Sequence, residues 1–554
     1  YFANSSSLAI LLIVGIFFAL ILPVIHPRFS TNDDIVIIYD IKAGLPTIYI
    51  SSILGYFLSL LYTRISELVP WYSIFIYISL GISLFILIRL AFIHYGIKRL
   101  EHFLVFALII VLYIRFIQLV GYTVTAVIVG GVGFLGFFAI AYKNKISWRN
   151  AIGYGLLLCL CLLWRPMALI FVLVFLFPIL LIRIRRYWKY YILFLSPCIF
   201  LYAIDTGLAY LQSQSIPEQK YYNEFDHYRD NKFYYSDSPL YRLNKNNKAL
   251  LQDVGWTEND FLIFQKCLSV DESKYNVETL KRILYNEKLI KISVWDFKTI
   301  FKSAKRILYN YKEWLIIVAF LLFLLVLYSS RVKTLLCVFF FLYIMLGALY
   351  LDITLKFPLR LGSPMLLIVL SLFAIILFDS DLSKSIIYKP IWKKIRMLIT
   401  VIGTCIFIIG LAIFMTKDSF INKHNIDSVY LLLNDIKADS VLLPQATFFN
   451  MIYTYSNPLK ELNVKYTIIP TGWTIFSPRF YNVLRDIGLK KGSDIFPYLI
   501  QSEKAFIIGG KDIIMPVSTF IKETYGIETE FKMVKTFPSL PKINMSFSMY
   551  KIHK

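Results

Sequence analysis

Apolar residues along this chain gather in long runs instead of the short alternations or narrow stripes of a soluble fold. Runs long enough to cross a hydrocarbon core, about 20 residues each, lie near residues 7–25, 71–93, 103–120, 123–142, 150–164, 167–182, 190–208, 313–329, 334–350, 361–378 and 398–415. A twelfth stretch, Tyr49 to Ile65, differs: Ser52, Gly55, Ser59, Thr63 and Ser66 set one polar stripe along an otherwise apolar helix. That stripe predicts a helix lying in the interface. The basic loops agree. Arg183/Arg185/Arg186/Lys189, Lys143/Lys145/Arg149, Lys98/Arg99, Arg331/Lys333 and Lys384 to Arg396 share one side of the membrane only if Tyr49–Ile65 does not cross.

The expected fold class is an all-α polytopic membrane protein of about eleven transmembrane helices, with a C-terminal α/β domain outside the membrane. The N-terminus is inside, and His26 to Pro70, Ala209 to Lys312 and everything after Met415 are outside. Four parts follow: an N-terminal transmembrane module, 1–208, with interfacial helices in its first outer loop, 27–70; a large outer loop, 209–312; further transmembrane helices, 313–415; and the outer domain, 416–554. In that last part, candidate strands (Ser440 to Leu443, Lys465 to Ile469, Ala505 to Ile508, Glu530 to Thr536, Met545 to Ile552) alternate with helix-like stretches such as Arg479 to Ile487. The first apolar run, Leu8 to Ile25, lacks a small-residue cleavage site behind it and reads as a retained span. The chain starts at Tyr1 without Met, which reads as a few residues missing ahead of it.

Composition fits this picture. The 554 residues are 58% hydrophobic and 17% charged, against roughly a quarter charged in a soluble domain. The net charge of +23 sits mostly in short loops between apolar runs, as cytoplasmic loops require, so nucleic acid is excluded as a partner. Five of the six cysteines (Cys159, Cys161, Cys198, Cys337, Cys405) lie in apolar runs and Cys267 stands alone, which gives neither a disulfide framework nor metal spacing. No Gly-rich phosphate loop, nucleophile elbow or His/Cys cluster occurs.

Candidate chemistry begins just beyond the first span, in Ser30-Thr31-Asn32-Asp33-Asp34. Adjacent carboxylates at the membrane surface suit removal of a proton from an acceptor hydroxyl, or ligation of a divalent cation. The alternative is a helix cap, with Asn32 or Asp33 capping Ile35 to Ile41 and Asp34 in the first turn. Arg115, within the third span, Arg165, in the short turn Trp164-Arg165-Pro166, and Lys356 and Arg360, in the turn Leu355 to Leu361, are all on the outer side. Cations so placed suit a phosphate, with snorkelling to headgroups as the alternative. The large loop adds Asn223, Asp226, His227, Arg229 and Asp237, then Gly255-Trp256-Thr257-Glu258-Asn259-Asp260, where Thr257 and Asp260 form a capping box. Asp226 and His227 are sequence neighbours, a poor arrangement for a base and its orienter. Trp473, in Thr471-Gly472-Trp473, suits stacking on a sugar ring or packing beneath a domain.

The layout of one span, an outer loop with an acidic pair and interfacial helices, six more spans and then a long outer loop resembles the GT-C superfamily of integral membrane glycosyltransferases. Asn32-Asp33-Asp34, the Gly255–Asp260 stretch and Gly472-Trp473 are similar to bacterial members serving surface polysaccharide assembly. The resemblance implies inverting transfer of a sugar from a polyprenyl-phosphate carrier to a hydroxyl acceptor, a glycan or cell-envelope polymer, on the outer face of the bacterial plasma membrane. It makes Asp34 or Asp33 the catalytic carboxylate, with Asp34 slightly favoured. Arg115, Arg165, Lys356 and Arg360 become candidates to hold the donor phosphate, and Asn223, Arg229, Asp237 and Trp256 candidates around the acceptor. The second acidic motif that helps oligosaccharyltransferases hold metal is missing here, which argues against a cofactor or divalent metal. A polysaccharide polymerase or ligase, using Arg229 and His227, is the alternative; a lipid or glycan transporter is a third reading, disfavoured by a midplane nearly free of charge.

Overall fold

The computed structural model of the protein describes residues 2–31, 33–47, 49–94, 97, 99–181, 184–230, 248–286, 297–354, 357–379, 390–445, 448, 452, 454–460, 465–537 and 547–554. Each of the eleven apolar runs is mostly helix over its described residues. In chain order these elements are α1 (Phe2–Ile25), α2 (Asp33–Lys42), α3 (Ser52–Leu60, prolonged to Ile65 by a wider turn), α4 (Trp71–Arg89), α5 (Leu100–Gln118), α6 (Tyr122–Tyr142), α7 (Trp148–Trp164), α8 (Pro166–Phe175), α9 (Phe177–Leu181) and α10 (Ile184–Ser215). Beyond them come α11 (Pro217–Asp230), α12 (Lys248–Asp253), α13 (Glu258–Gln265), α14 (Val277–Asn286) and α15 (Phe297–Asn310), then α16 (Lys312–Tyr328), α17 (Arg331–Thr354), α18 (Leu359–Phe378) and α19 (Pro390–Asn434).

Among the described residues, eight helices are long and apolar enough to cross a membrane, and α15 with α16, bent by 80° at their junction, makes a ninth. The protein is a multi-pass membrane protein. The apolar runs suggested two more full spans, but α7 has 17 residues and α8 only 10. Proline accounts for this: Pro166 starts a new helix directly after Arg165, and Pro178 interrupts the run that follows. One face of α7 packs between α6 and α10, while Leu156 and Trp148 on it stay exposed.

Burial separates centre from periphery. In α6 every residue from Tyr122 to Ala141 is buried and most of α18 is, whereas α1, α10 and α19 turn most of their apolar surface outward, as lipid contact requires. Glycines let α6 sit at the centre. A Cβ at Gly131 would lie 2.4 Å from Ile368 of α18, and one at Gly136 would lie 2.1 Å from the Tyr154 ring of α7. The two ends of the bundle are distinct. At one end Lys143, after α6, and Lys333, on α17, share Asp379 at 3.3 and 3.1 Å. The other end carries α2, α3, α11 and the tail.

There the chain leaving α1 forms β1 (Arg28–Phe29), which pairs in parallel with β2 (Leu119–Val120) at the end of α5. The tail holds β3 (Val441–Pro444), β4 (Thr467–Ile468), β5 (Ala505–Gly509), β6 (Glu530–Thr536) and β7 (Ser548–His553), in the order β4-β3-β5-β7-β6. The first three are parallel and the last two antiparallel. Helices α20 (Pro478–Asp486), α21 (Ile495–Gln501) and α22 (Ile514–Tyr525) complete it. Alternation along β3 gives the sheet two jobs. Val441 and Leu443 pack with Phe225, Phe264, Tyr275 and Leu280 of the 209–286 segment. Leu442, on the opposite face, joins the core that continues through Ile426 and Val429 of α19 into the bundle. Residues assigned to separate outer parts by composition thus share one core, sealed where Tyr525 donates to Asp271 at 2.7 Å. The expected Met415 boundary is not a break: α19 runs on to Asn434.

Candidate functional site

The acidic pair is positioned by the short β1–β2 ladder. Its last bond, Ser30 N–H to the Val120 carbonyl at 2.7 Å, brings the start of α2 against Gly121 and Tyr122 at the head of α6. The approach is close: a Cβ at Gly121 would press on the Ser30 hydroxyl and lie 3.0 Å from Asp34 Oδ2, so a larger residue would push both side chains aside. Asp33 and Asp34 are the first two residues of α2, where the helix dipole favours negative charge. Asn32 lies outside the described residues. Neither carboxylate serves as a plain cap, since both are turned to other elements.

Asp34 is fully buried. Its Oδ1 accepts from Tyr72 Oη at 2.7 Å and from the Tyr122 N–H at 2.9 Å, and its Oδ2 accepts from Thr31 Oγ1 at 3.1 Å. Burial pushes this carboxyl up to about 7; the three donors oppose the shift and neighbouring Asp33 adds to it. Asp33 keeps some exposure. Its Oδ2 accepts from Arg360 Nη1 at 2.7 Å and, at 3.4 Å, from Tyr122 Oη. The same tyrosine oxygen accepts from Arg165 Nη1 at 3.2 Å, and that guanidinium also donates to Thr123 Oγ1 and lies over the Tyr122 ring. Tyr49 closes the group, with its ring edge toward Tyr122 at 6.2 Å.

Arg165 and Arg360, from two different turns, are therefore brought to the acidic pair. Arg115 is not. It pairs with half-exposed Glu313 at 3.3 Å and lies over the Phe414 ring. Lys356 and Asp237 lie outside the described residues. In the large loop, Arg229 is wholly buried, donating to the carbonyls of Gly472 at 2.9 Å and Trp473 at 2.7 Å and pairing with Asp226. Asp226 is thereby turned away from His227, which is exposed beside Tyr228. Gly472 takes a positive φ of 65°, a conformation glycine adopts without strain. Asn223 is exposed and accepts from Gln219 at 2.7 Å. Trp256 is core: its indole N–H donates to the Lys274 carbonyl at 3.1 Å between Phe264 and Tyr275. Thr257 and Asp260 form the capping box expected of them.

Sequence reasoning missed Tyr72, Gly121 and Tyr122. The two tyrosines open membrane helices, where they pass for ordinary interfacial aromatics. The arrangement offers one partly exposed carboxylate, one buried carboxylate and two guanidiniums, a set suited to moving a proton beside a bound anion. It is dressed for hydrogen bonding: donors occupy Asp34, a guanidinium occupies Asp33, and among the described residues no group of three or more His, Cys, Asp or Glu forms.

No protein-family model matches the chain, and no curated protein does. Two solved structures are similar to it in layout. One is ArnT from Cupriavidus metallidurans in the apo state, with a TM-score of 0.44 and 11% identity over 99% of this chain and 98% of that one. The other is ArnT from the same organism bound to undecaprenyl phosphate, with a TM-score of 0.42 and 11% identity over 99% and 97%.

Proposed function

We propose that the protein is a membrane glycosyltransferase that moves a sugar from a polyprenyl-phosphate carrier to a hydroxyl acceptor on the extracytoplasmic face. The observation that carries this reading is the meeting of Asp33, Arg360, Arg165 and Tyr122 at one end of a helical bundle. A lipid carrier enters among the helices, and its phosphate comes up to the guanidiniums of Arg360 and Arg165, which match a phosphate better than ammonium groups do. The acceptor hydroxyl gives its proton to a carboxylate as its oxygen bonds the anomeric carbon. The bond from that carbon to the phosphate oxygen breaks, and polyprenyl phosphate leaves with the electron pair, its charge held by the two arginines.

Exposure favours Asp33 as the base, since Asp34 has both oxygens engaged and no open surface. Asp34 fixes the start of α2 and sets the field around its neighbour. Lys143 and Lys333, from two of the basic loops, meet at the end of the bundle opposite the acidic pair, which supports a cytoplasmic assignment for that end and an outer location for the site. Purified protein supplied with a set of polyprenyl-phosphate sugars is expected to release polyprenyl phosphate, and Asp33→Asn to lower that release by about 10²–10⁴-fold, the usual worth of a general base. Full turnover in folded Asp33→Asn would remove the residue from the mechanism.

A further inference from the structure

Helix α15 carries a surface that the bundle leaves open. It packs along α17, burying Ser303 and Ile307, and its Arg306 donates to Asp352 of α17 from Nε at 2.9 Å and from Nη2 at 2.6 Å. At about 100° per residue, Phe297, Phe301 and Leu308 fall in one narrow arc away from that contact, and they are 83%, 64% and 57% exposed. Lys298, Lys302 and Lys305 occupy the next arc, all exposed, with Tyr309 among them. No acidic residue occurs on the helix. Apolar side chains grouped in the open beside polar ones mark a surface that another phase or molecule covers.

The fold says what covers this one. Helix α15 turns by 80° into α16, which crosses the membrane, so α15 runs close to the membrane plane. Their junction lies at the end of the bundle that carries the acidic pair, where Glu313, in the first turn of α16, meets Arg115 of α5. Three lysines and Arg306 within 14 residues keep α15 out of the hydrocarbon. The 17 residues of α16, about 26 Å long, nearly make the crossing by themselves. A helix held at that level, with an apolar arc beside a lysine arc, matches a bilayer edge on both counts: rings and Leu308 reach acyl chains, and ammonium groups reach phosphates.

We propose that α15 is a docking surface for anionic phospholipid, with Phe297, Phe301 and Leu308 in the edge of the acyl layer and Lys298, Lys302 and Lys305 on headgroup phosphates. The contact has a use within the fold. Asp352, held by Arg306, also accepts from the Phe357 N–H at 3.2 Å, just before the turn that brings Arg360 to Asp33. One aspartate thus ties the level of the headgroup layer to the height of Arg360. The surface stands independently of the transferase reading.

The test is photocrosslinking of the purified full-length protein in nanodiscs of equal phosphatidylcholine and phosphatidylglycerol. Benzoylphenylalanine replaces Phe301 or, as a control, Met533, which is exposed on β6; mass spectrometry reads the adducts. Phospholipid adducts are expected at 301 and not at 533, with phosphatidylglycerol preferred by about fivefold or more, the worth of one lysine at an anionic surface. Lys298→Gln, Lys302→Gln and Lys305→Gln together should keep the adduct and bring the preference close to one. No lipid adduct at 301, crosslinks there only to a second copy or another protein, an equal yield at 533, equal adducts with both lipids when the lysines are present, or a preference that survives their loss would each overturn the assignment.

Discussion

Two arginine–aspartate pairs in the half of the molecule that carries the sheet are built from the same side chains and do opposite work. Arg229 is buried against Asp226, and it also donates to the chain's own carbonyls at Gly472 and Trp473. Arg360 meets Asp33 at a rim where both side chains keep some exposure, 27% and 11%, and where the neighbours are hydroxyls and a second guanidinium. The first pair staples α11 to the tail; the second keeps open surface, as the proposed binding of an anion requires. Burial of the partner groups, not the presence of an ion pair, separates a staple from a site.

The sharpest way to break the comparison is to remove each arginine in turn. Arg229→Ala leaves two carbonyls and a carboxylate without their donor, and is expected to cost about 3 kcal/mol of stability or more; a melting curve in detergent reads it. Arg360→Ala should leave the melting point nearly unchanged and lower donor turnover by about 10²–10³-fold, the usual loss for one preorganised donor to developing charge. If the two variants exchange these phenotypes, the distinction collapses.

A finer test uses pH. Asp34, raised to about 7, is protonated below that value and charged above it. The three donors around it suit the carboxylate form, so turnover is expected to rise between about pH 6 and 8 in the wild type, a rise that Asp34→Asn removes. Asp40 is raised to a similar value, so the profile of Asp40→Asn is the control. Asp34 is responsible only if the rise survives in that variant. The smallest effect belongs to Arg115→Ala. Its ion pair with Glu313 is largely exposed, worth about 0–1 kcal/mol, and a change in turnover of no more than a few-fold is expected by the same kinetic assay.

Hydropathy made the bundle legible in the sequence because lipid demands long apolar helices and charge bias orders the loops. The five strands of the tail were legible from local alternation. The acidic pair was visible because two adjacent carboxylates at a span exit are unusual, and Arg165 and Arg360 because cations in tight outer turns are few. Sequence could not separate these two from Arg115, since pairing depends on which helix ends meet in space. Nor could it show that Asp40, Gln219 and Arg479 come together, since they stand in three segments that only the folded chain unites. The end of α19 was misplaced for a different reason. The polar residues after Met415, among them Lys417, Asp418, Asn422 and Lys423, report the exit from lipid, but no Gly or Pro follows before Asn434 to stop the helix.

That uninterrupted α19 turns chain length into an angle. At 45 residues it extends about 68 Å, roughly twice the hydrocarbon thickness, and its far end packs beneath the sheet that carries β3. One residue inserted beyond Met415 would rotate that sheet by about 100° relative to the bundle and lift it by about 1.5 Å, carrying Arg479 away from Asp40. The helix acts as a crankshaft whose phase has to be right, and a length change in it can be absorbed only by breaking it.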